Sequence, residues 1–373
     1  MTEETRWQKL YYRLCCFVIF FVVASISFNG FYQKWHFHEE DIPGDNTDAS
    51  FDRMVDGTAH RPYVYRQLIP AIANEVDRVT PQTVKTWLFT QQGSGEDAYL
   101  YTITISQTAD DEVYFFRYLV AYIATFLFAL LALYAMYWLC KALGTPPPAA
   151  LCASVLFMLL FPYVMSVGGF FYDFSELALF ALAALMALRL NWWWLIPVAA
   201  IGELNKESFV LMVVTLYPLM RQRSSRRGAL LGAGVLCAVC LAVYYPVRLH
   251  FAHNAGGIVE VQWREQLSYF MHPLATALST DETYGMRAPR IFTLVPMGLL
   301  VWTAVRGWKQ LPTAIKQHGK IAAAINVPLF LLFCSPGEMR DLSMLDLVFL
   351  LVLAGNLNRW IKGAGRTEGL PVV

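Results

Sequence analysis

The chain predicts an all-α polytopic membrane protein, and three observations predict it. Hydrophobic residues make up 57% of its 373 residues and charged residues only 15%, against roughly 25% charged in a typical soluble domain. Eleven Trp, 19 Tyr and 25 Phe supply the aromatic side chains that collect at membrane–water interfaces. Apolar runs near the ~20 residues needed to cross a bilayer recur along the whole length. A soluble protein with a few buried helices has no use for so many runs of that length. The formal net charge of +1 lacks the basic excess that nucleic-acid binding draws on, so no nucleic-acid partner is expected.

The runs place spans at about 14–32, 116–140, 149–168, 171–189, 192–220, 228–247, 290–306, 321–335 and 342–358. The run over 192–220 is too long for one helix, and "GELNKES" interrupts it. It reads as two short helices whose turn sits at depth or at the far interface, where protein or water must satisfy the irregular backbone. The count is then about nine to eleven segments in one integral membrane domain covering 1–373.

Basic residues near span ends set orientation. "RWQKLYYR" precedes the first span, "RQRSSRR" (221–227) joins two others, and "NRWIKGAGR" follows the last. All fall on one side if 192–220 goes down and back, which puts both termini in the cytoplasm. The segment 33–115 is then a large external loop, and its 14 Asp or Glu against six Lys or Arg agree. The first span has a basic start but a long apolar core and no clear cleavage site, so it reads as an uncleaved anchor. The segment 250–289 is a second external loop. Within the first, Leu68, Ile69, Ile72, Val76 and Val79 fall on one face of an amphipathic helix suited to the membrane surface. "AYLYTITIS" (98–106) has strand-like composition.

Seven cysteines carry no disulfide framework, and "CAVC" (237–240) in an apolar helix reads as packing. "HFH" (36–38) and the pair His250 and His253 lack a third or fourth ligand for zinc. The histidines fall in loops or at span ends.

Chemistry is concentrated in five polar clusters that this topology places on the external side. In "DNTDASFDRMVDG", Asp48, Asp52 and Asp56 are spaced to line one face if the segment is helical. Gathered carboxylates suit a general base or a divalent cation, although a solvated acidic loop is the simpler alternative. "HRPYVYRQLIP" brings Arg61 and Arg66, whose planar forks match phosphate oxygens; interfacial anchoring is the structural alternative. "FFYDFSELALF" puts Asp173 and Glu176 at the start of a span. "GELNKESF" sets Glu203, Lys206 and Glu207 inside an apolar run, where ionisable groups are costly and face a cavity or one another. Lys206 either pairs with Glu203 or Glu207 or reaches an anionic lipid head. "SPGEMRD" adds Glu338, Arg340 and Asp341 at the end of the last hairpin.

These stretches, in this order and on one side, resemble the GT-C superfamily of multi-spanning glycosyltransferases that use lipid-linked sugars. "DASFDRMVDG" is similar to the first-loop acidic motif of that group, "HRPYVYRQLIP" to the run that follows it in bacterial members, "YDFSELALF" to its second acidic motif, and "GELNKESF" to a Lys-Glu break in a mid-chain helix pair. They cover about a tenth of the chain, which lacks a large C-terminal soluble domain and is short for the group. The resemblance implies a GT-C-like bundle in a bacterial inner membrane with its site facing the periplasm. It implies a polyprenyl-phosphate sugar donor and a glycan, lipid or protein acceptor. Asp48 would be the base that activates the acceptor hydroxyl for inverting transfer, with Asp52 second. Arg61, Arg66, Lys206 and Arg340 would bind the donor phosphate. Asp45, Asp173, Glu176, Glu207 and Glu338 would hold the acceptor or a cation, Mg or Mn, whose need stays open. Two other classes fit the composition: a transporter or flippase of a lipid-linked or anionic substrate, and another lipid-linked polymer enzyme such as an acyltransferase or polymerase.

Overall fold

A computed structural model describes residues 3–32, 50–91, 111–165, 169–257, 261–335 and 338–367. Asp45, Asp48 and the strand expected over 98–106 lie outside the described residues. What is described is almost wholly helical. The long elements are α1 (Glu3–Tyr32), α5 (Glu112–Ala142), α6 (Pro147–Val164), α7 (Tyr172–Arg189), α11 (Arg226–His250), α14 (Ile291–Trp308), α15 (Thr313–Phe333) and α16 (Asp346–Thr367). Among the described residues five helical stretches are long and apolar enough to cross a membrane: Arg6–Tyr32, Glu112–Ala142, Pro147–Val164, Arg226–His250 and Met339–Lys362. Two of the other long helices fall short for identifiable reasons. Asp173, Glu176 and Arg189 interrupt α7, and α15 starts earlier than expected and so carries Lys316 and Lys320.

The bundle closes on small residues. The most extensive helix interface joins α5 to α7, and Ala129, Ala132 and Ala135 of one and Ala178, Ala181 and Ala184 of the other are among the fully or almost fully buried residues of these helices. With no hydrophobic drive between helices inside lipid, close backbone approach over such residues supplies the packing. Helix α1 adds aromatic edges, with Phe20 against Tyr134 and Phe31 against Phe174. The break expected at "GELNKES" is present. Helix α8 (Ile196–Asn205) ends at an extended Lys206 (φ −156°, ψ 129°), and α9 (Phe209–Thr215) and α10 (Tyr217–Met220) follow. Phe209 folds back over Gly202 so tightly that a Cβ there would lie 2.5 Å from its ring.

Between α1 and α5 lie α2 (Phe51–Val55), α3 (Leu68–Val79) and α4 (Gln82–Thr90). Leu68, Ile69 and Ala73 of α3 are buried and the helix packs on α5, whereas Val79 is 71% exposed. The apolar face therefore seats its first two turns on protein, not along a membrane surface throughout. The segment between α11 and α14 holds α12 (Trp263–Met271), α13 (Pro273–Leu278) and a hairpin of β1 (Thr280–Thr283) and β2 (Met286–Pro289). Its turn uses left-handed Tyr284 (φ 56°) and Gly285 (φ 74°), the geometry that two-residue hairpin turns require. The Tyr284 hydroxyl donates to the Leu159 carbonyl at 2.6 Å, and its ring lies against Gly30. The hairpin tip is thus anchored between α1 and α6.

The two connecting segments are stapled to each other. The Arg61 backbone N–H donates to the Ala255 carbonyl at 2.9 Å, and its guanidinium to the Gly256 carbonyl at 2.7 Å. Asn254 donates to the carbonyls of Gly57 and Ala59 at 2.8 and 2.9 Å. Gly256 is left-handed (φ 90°), and a Cβ there would sit 2.5 Å from the Arg61 carbonyl. His318, expected near a span end, is instead buried in the second turn of α15 with Nδ1 2.8 Å from the Thr215 carbonyl, because that helix begins well before its apolar run.

Candidate functional site

Three stretches distant in sequence bring their charges to one chamber of about 400 Å³. The first is the turn Tyr63–Tyr65 that leads into α3, which delivers Tyr63 and Arg66. The second is the break between α8 and α9, which delivers Lys206 and Glu207. The third is the 3₁₀ stretch Met339–Leu345 before α16, which delivers Arg340, Asp341 and Ser343 beside Glu338. Each is a short irregular segment at a helix end, where side chains are free to converge and backbone polar groups need partners.

Arg340 is the most deeply held cation. Its Nη1 lies 3.1 and 3.0 Å from the two oxygens of Asp173 and its Nη2 hydrogen-bonds Glu338. Asp173 also accepts from the Phe170 backbone N–H at 2.8 Å. The guanidinium stacks over the Phe170 ring at 4.6 Å, a contact worth about 0.5–2 kcal/mol depending on desolvation. Lys206 sits between two carboxylates, 3.0 Å from Glu176 and 2.9 Å from Asp341. Glu176 takes a further bond from Ser343 at 2.7 Å. Asn326 of α15 fixes the stretch by donating to the Asp341 carbonyl at 2.7 Å and accepting from the Met344 N–H at 3.1 Å.

Arg66 is held differently. It hydrogen-bonds the Tyr172 hydroxyl, stacks 4.5 Å above that ring, and stands 3.5 Å from Glu207. Burial works against its charge, and the neighbouring oxygens of Tyr172 and Glu207 outweigh that, so its pKa lies above the ordinary value. The approach to Glu207 is within ion-pair range but not aligned as a hydrogen bond. Arg66 Nε, Glu207 Oε2 and Arg340 Nε are all buried without a hydrogen-bond partner. Unmade bonds at buried polar atoms cost about 1–3 kcal/mol each, and these three belong to residues that line the same chamber.

Of the residues singled out from the sequence, Arg66, Lys206, Glu207, Glu338 and Arg340 line the chamber, with Asp173 and Glu176 directly behind it. Arg61 does not line it; its guanidinium is spent on the loop staple to Gly256. Asp52 does not line it either and accepts from Ser50. Asp52 and Asp56 do fall one turn apart on the short helix Phe51–Val55, the Asp56 N–H donating to the Asp52 carbonyl at 2.9 Å. Asp56 faces Tyr114 at 2.5 Å and Arg117 at 3.3 Å. Lys206 pairs with neither Glu203 nor Glu207, and Glu203 instead accepts from the Val210 N–H of α9 at 2.9 Å.

Sequence reasoning missed Tyr172, Asn326, Ser343 and Asp346. Two had a signal: Asn326 and Asp346 are polar side chains inside apolar runs, "AAAINVPLF" and "SMLDLVFL". Asp346 lines a small void with Asp173, Glu176 and Ser343. On the far side of the 339–345 stretch lies an apolar cavity of about 120 Å³ bounded by Phe157, Leu160, Val301, Leu342 and Phe349. One stretch therefore walls a polar chamber on one side and a greasy one on the other. Among the described residues no group of three or more His, Cys, Asp or Glu is placed to hold a metal ion. The chamber carboxylates are held by cations or lie apart, so no chemical step is assigned to Mg or Mn.

No family model, curated protein or solved structure matches this chain.

Proposed function

We propose that the chain is a membrane-embedded glycosyltransferase that moves a sugar from a polyprenyl-phosphate donor to a hydroxyl of a glycan, lipid or protein acceptor. The observation that carries this reading is the convergence of Arg66, Lys206 and Arg340 on one chamber. Arg340 Nε is buried without a hydrogen-bond acceptor and Arg66 Nε has only the unaligned Glu207 carboxylate at 3.5 Å, and an anionic ligand satisfies such donors best. In the transfer, the leaving group is a phosphate whose charge grows in the transition state. Fixed cations that are already oriented stabilise that charge without reorganising. The reading keeps nine to eleven crossings, both termini in the cytoplasm of a bacterial inner membrane, the chamber facing the periplasm, and inversion at the anomeric carbon.

The test is sugar transfer by the purified protein in lipid nanodiscs, with a labelled polyprenyl-phosphate sugar and a panel of hydroxyl acceptors. Release of free polyprenyl phosphate together with a new glycoside supports the reading. A donor that crosses the bilayer of proteoliposomes without being cleaved assigns the chamber to a transporter instead. Failure to bind the donor at all ends the proposal.

A further inference from the structure

Transfer of a sugar to a hydroxyl needs a proton acceptor within reach of that hydroxyl. The resemblance implied Asp48 or Asp52, but Asp52 lies outside the chamber lining and is engaged with Ser50. The chamber carries its own carboxylates, and counting lone pairs separates them. Asp341 accepts from Lys206 at 2.9 Å. Glu338 accepts from Arg340 and from the Ser335 N–H at 3.0 Å. Behind the lining, Asp173 takes both Arg340 and the Phe170 N–H, and Glu176 takes Lys206 and Ser343. Glu207 differs from all of them. Its side chain makes no hydrogen bond among the described residues, its buried Oε2 meets only Arg66 Nε in an unaligned ion pair, and the side chain, part of the chamber lining, is 29% exposed. It is also 3.5 Å from Arg66, a cation read above as a phosphate ligand, so base and leaving group share one wall.

Resting on that reading, we infer that Glu207 is the general base of the transfer. The acceptor oxygen forms its bond to the anomeric carbon as the carbon–oxygen bond to the phosphate breaks. The electron pair of that bond leaves on the phosphate, and the acceptor proton passes to a Glu207 carboxylate oxygen. A partly exposed carboxylate with vacant lone pairs can take the proton of a hydroxyl bound within hydrogen-bond reach of it. The break between α8 and α9 explains the placement. The extended backbone at Lys206 sends that side chain to Glu176 and Asp341, while Glu207 lines the chamber.

The experiment compares wild type, Glu207→Gln, Glu207→Asp and Asp48→Asn in nanodiscs, measuring transfer rate against pH and, separately, affinity for the polyprenyl-phosphate sugar. Glu207→Gln is expected to lose roughly 10²–10⁴-fold in transfer rate, to keep donor affinity within a few-fold, and to lose the acid limb of the wild-type pH profile. Glu207→Asp should retain part of the rate and keep that limb. Near-normal transfer by Glu207→Gln beside an inactive Asp48→Asn would overturn the inference and return the base to the first loop. Equal losses of donor affinity and transfer in Glu207→Gln would overturn it too, leaving Glu207 a mere support for Arg66. A wild-type protein that transfers no sugar would remove the inference and the reading beneath it together.

Discussion

Replacing Lys206 by Met removes one ammonium from between two carboxylates, and the structure allows its cost to be worked out. Lys206 Nζ lies 3.0 Å from Glu176 and 2.9 Å from Asp341, and the three side chains are 10%, 3% and 18% exposed. At ~3 Å and an effective dielectric of ~20, each pair gains about 5 kcal/mol of Coulomb energy before desolvation. Desolvation takes back most of that while the cation is present, but it is not refunded to the carboxylates once the cation has gone. Breaking a buried pair from one side costs about 3–5 kcal/mol. Glu176 keeps Ser343, so the expected loss for Lys206→Met is ~3–5 kcal/mol, not twice that. At about 2 °C per kcal/mol for a long chain, the melting temperature falls by on the order of 5–10 °C. Fluorescence-detected size exclusion after heating in detergent measures the shift. Lys206→Arg keeps the charge and should lose much less. The triple change Lys206→Met, Glu176→Gln, Asp341→Asn removes every charge of the group and should recover most of the stability of wild type, because neutralising a buried pair as a whole is far cheaper than halving it. A Lys206→Met protein within about 1 kcal/mol of wild type would refute the reasoning, as would a triple variant no more stable than the single one.

Three further outcomes follow from the same geometry. Gly256→Ala should destabilise by more than about 2 kcal/mol, since left-handed backbone costs about 1–2 kcal/mol in itself and the new Cβ meets the Arg61 carbonyl. Gly285→Ala, equally left-handed but with nothing within 4 Å, should lose only the backbone part, and thermal melts that rank the two the other way contradict the staple. Arg66→Ala should weaken donor binding by roughly 10–100-fold, with Arg66→Lys restoring only part because a point charge cannot reproduce the planar fork; titration of the donor against each variant decides this. Cysteines introduced at Gln82 and Gln222, labelled with an impermeant maleimide in sealed vesicles, should react from opposite sides, and reaction of both from one side would end the orientation on which the external site rests.

Composition and periodicity by themselves determined the membrane class, the apolar runs, the break at 206–208 and the residues too polar for their surroundings. Those follow from local chemistry: a charge in an apolar run must face something, whatever the fold around it. The grouping of Arg61, Arg66, Lys206 and Arg340 came instead from the resemblance, and of these Arg61 does not line the chamber. What sequence could not decide was which charge meets which. Lys206 has glutamates three residues before it and one after, yet its partners are Glu176 and Asp341. Near neighbours lost because α8 ends in extended backbone at Lys206, which turns its side chain away from Glu203 and Glu207, and Glu203 is drawn to the free N–H of Val210. The spacing of Asp52 and Asp56 does give one helical turn at Phe51–Val55, but spacing says nothing of what that turn faces, and neither side chain lines the chamber. Arg61 looked identical in kind to Arg66, but a backbone carbonyl from a segment almost two hundred residues on claims its guanidinium. Tertiary structure therefore decided the chamber. Burial is written in the local pattern, whereas ion pairing is settled by which irregular helix ends the packing of α5, α7, α15 and α16 brings within 3 Å of one another.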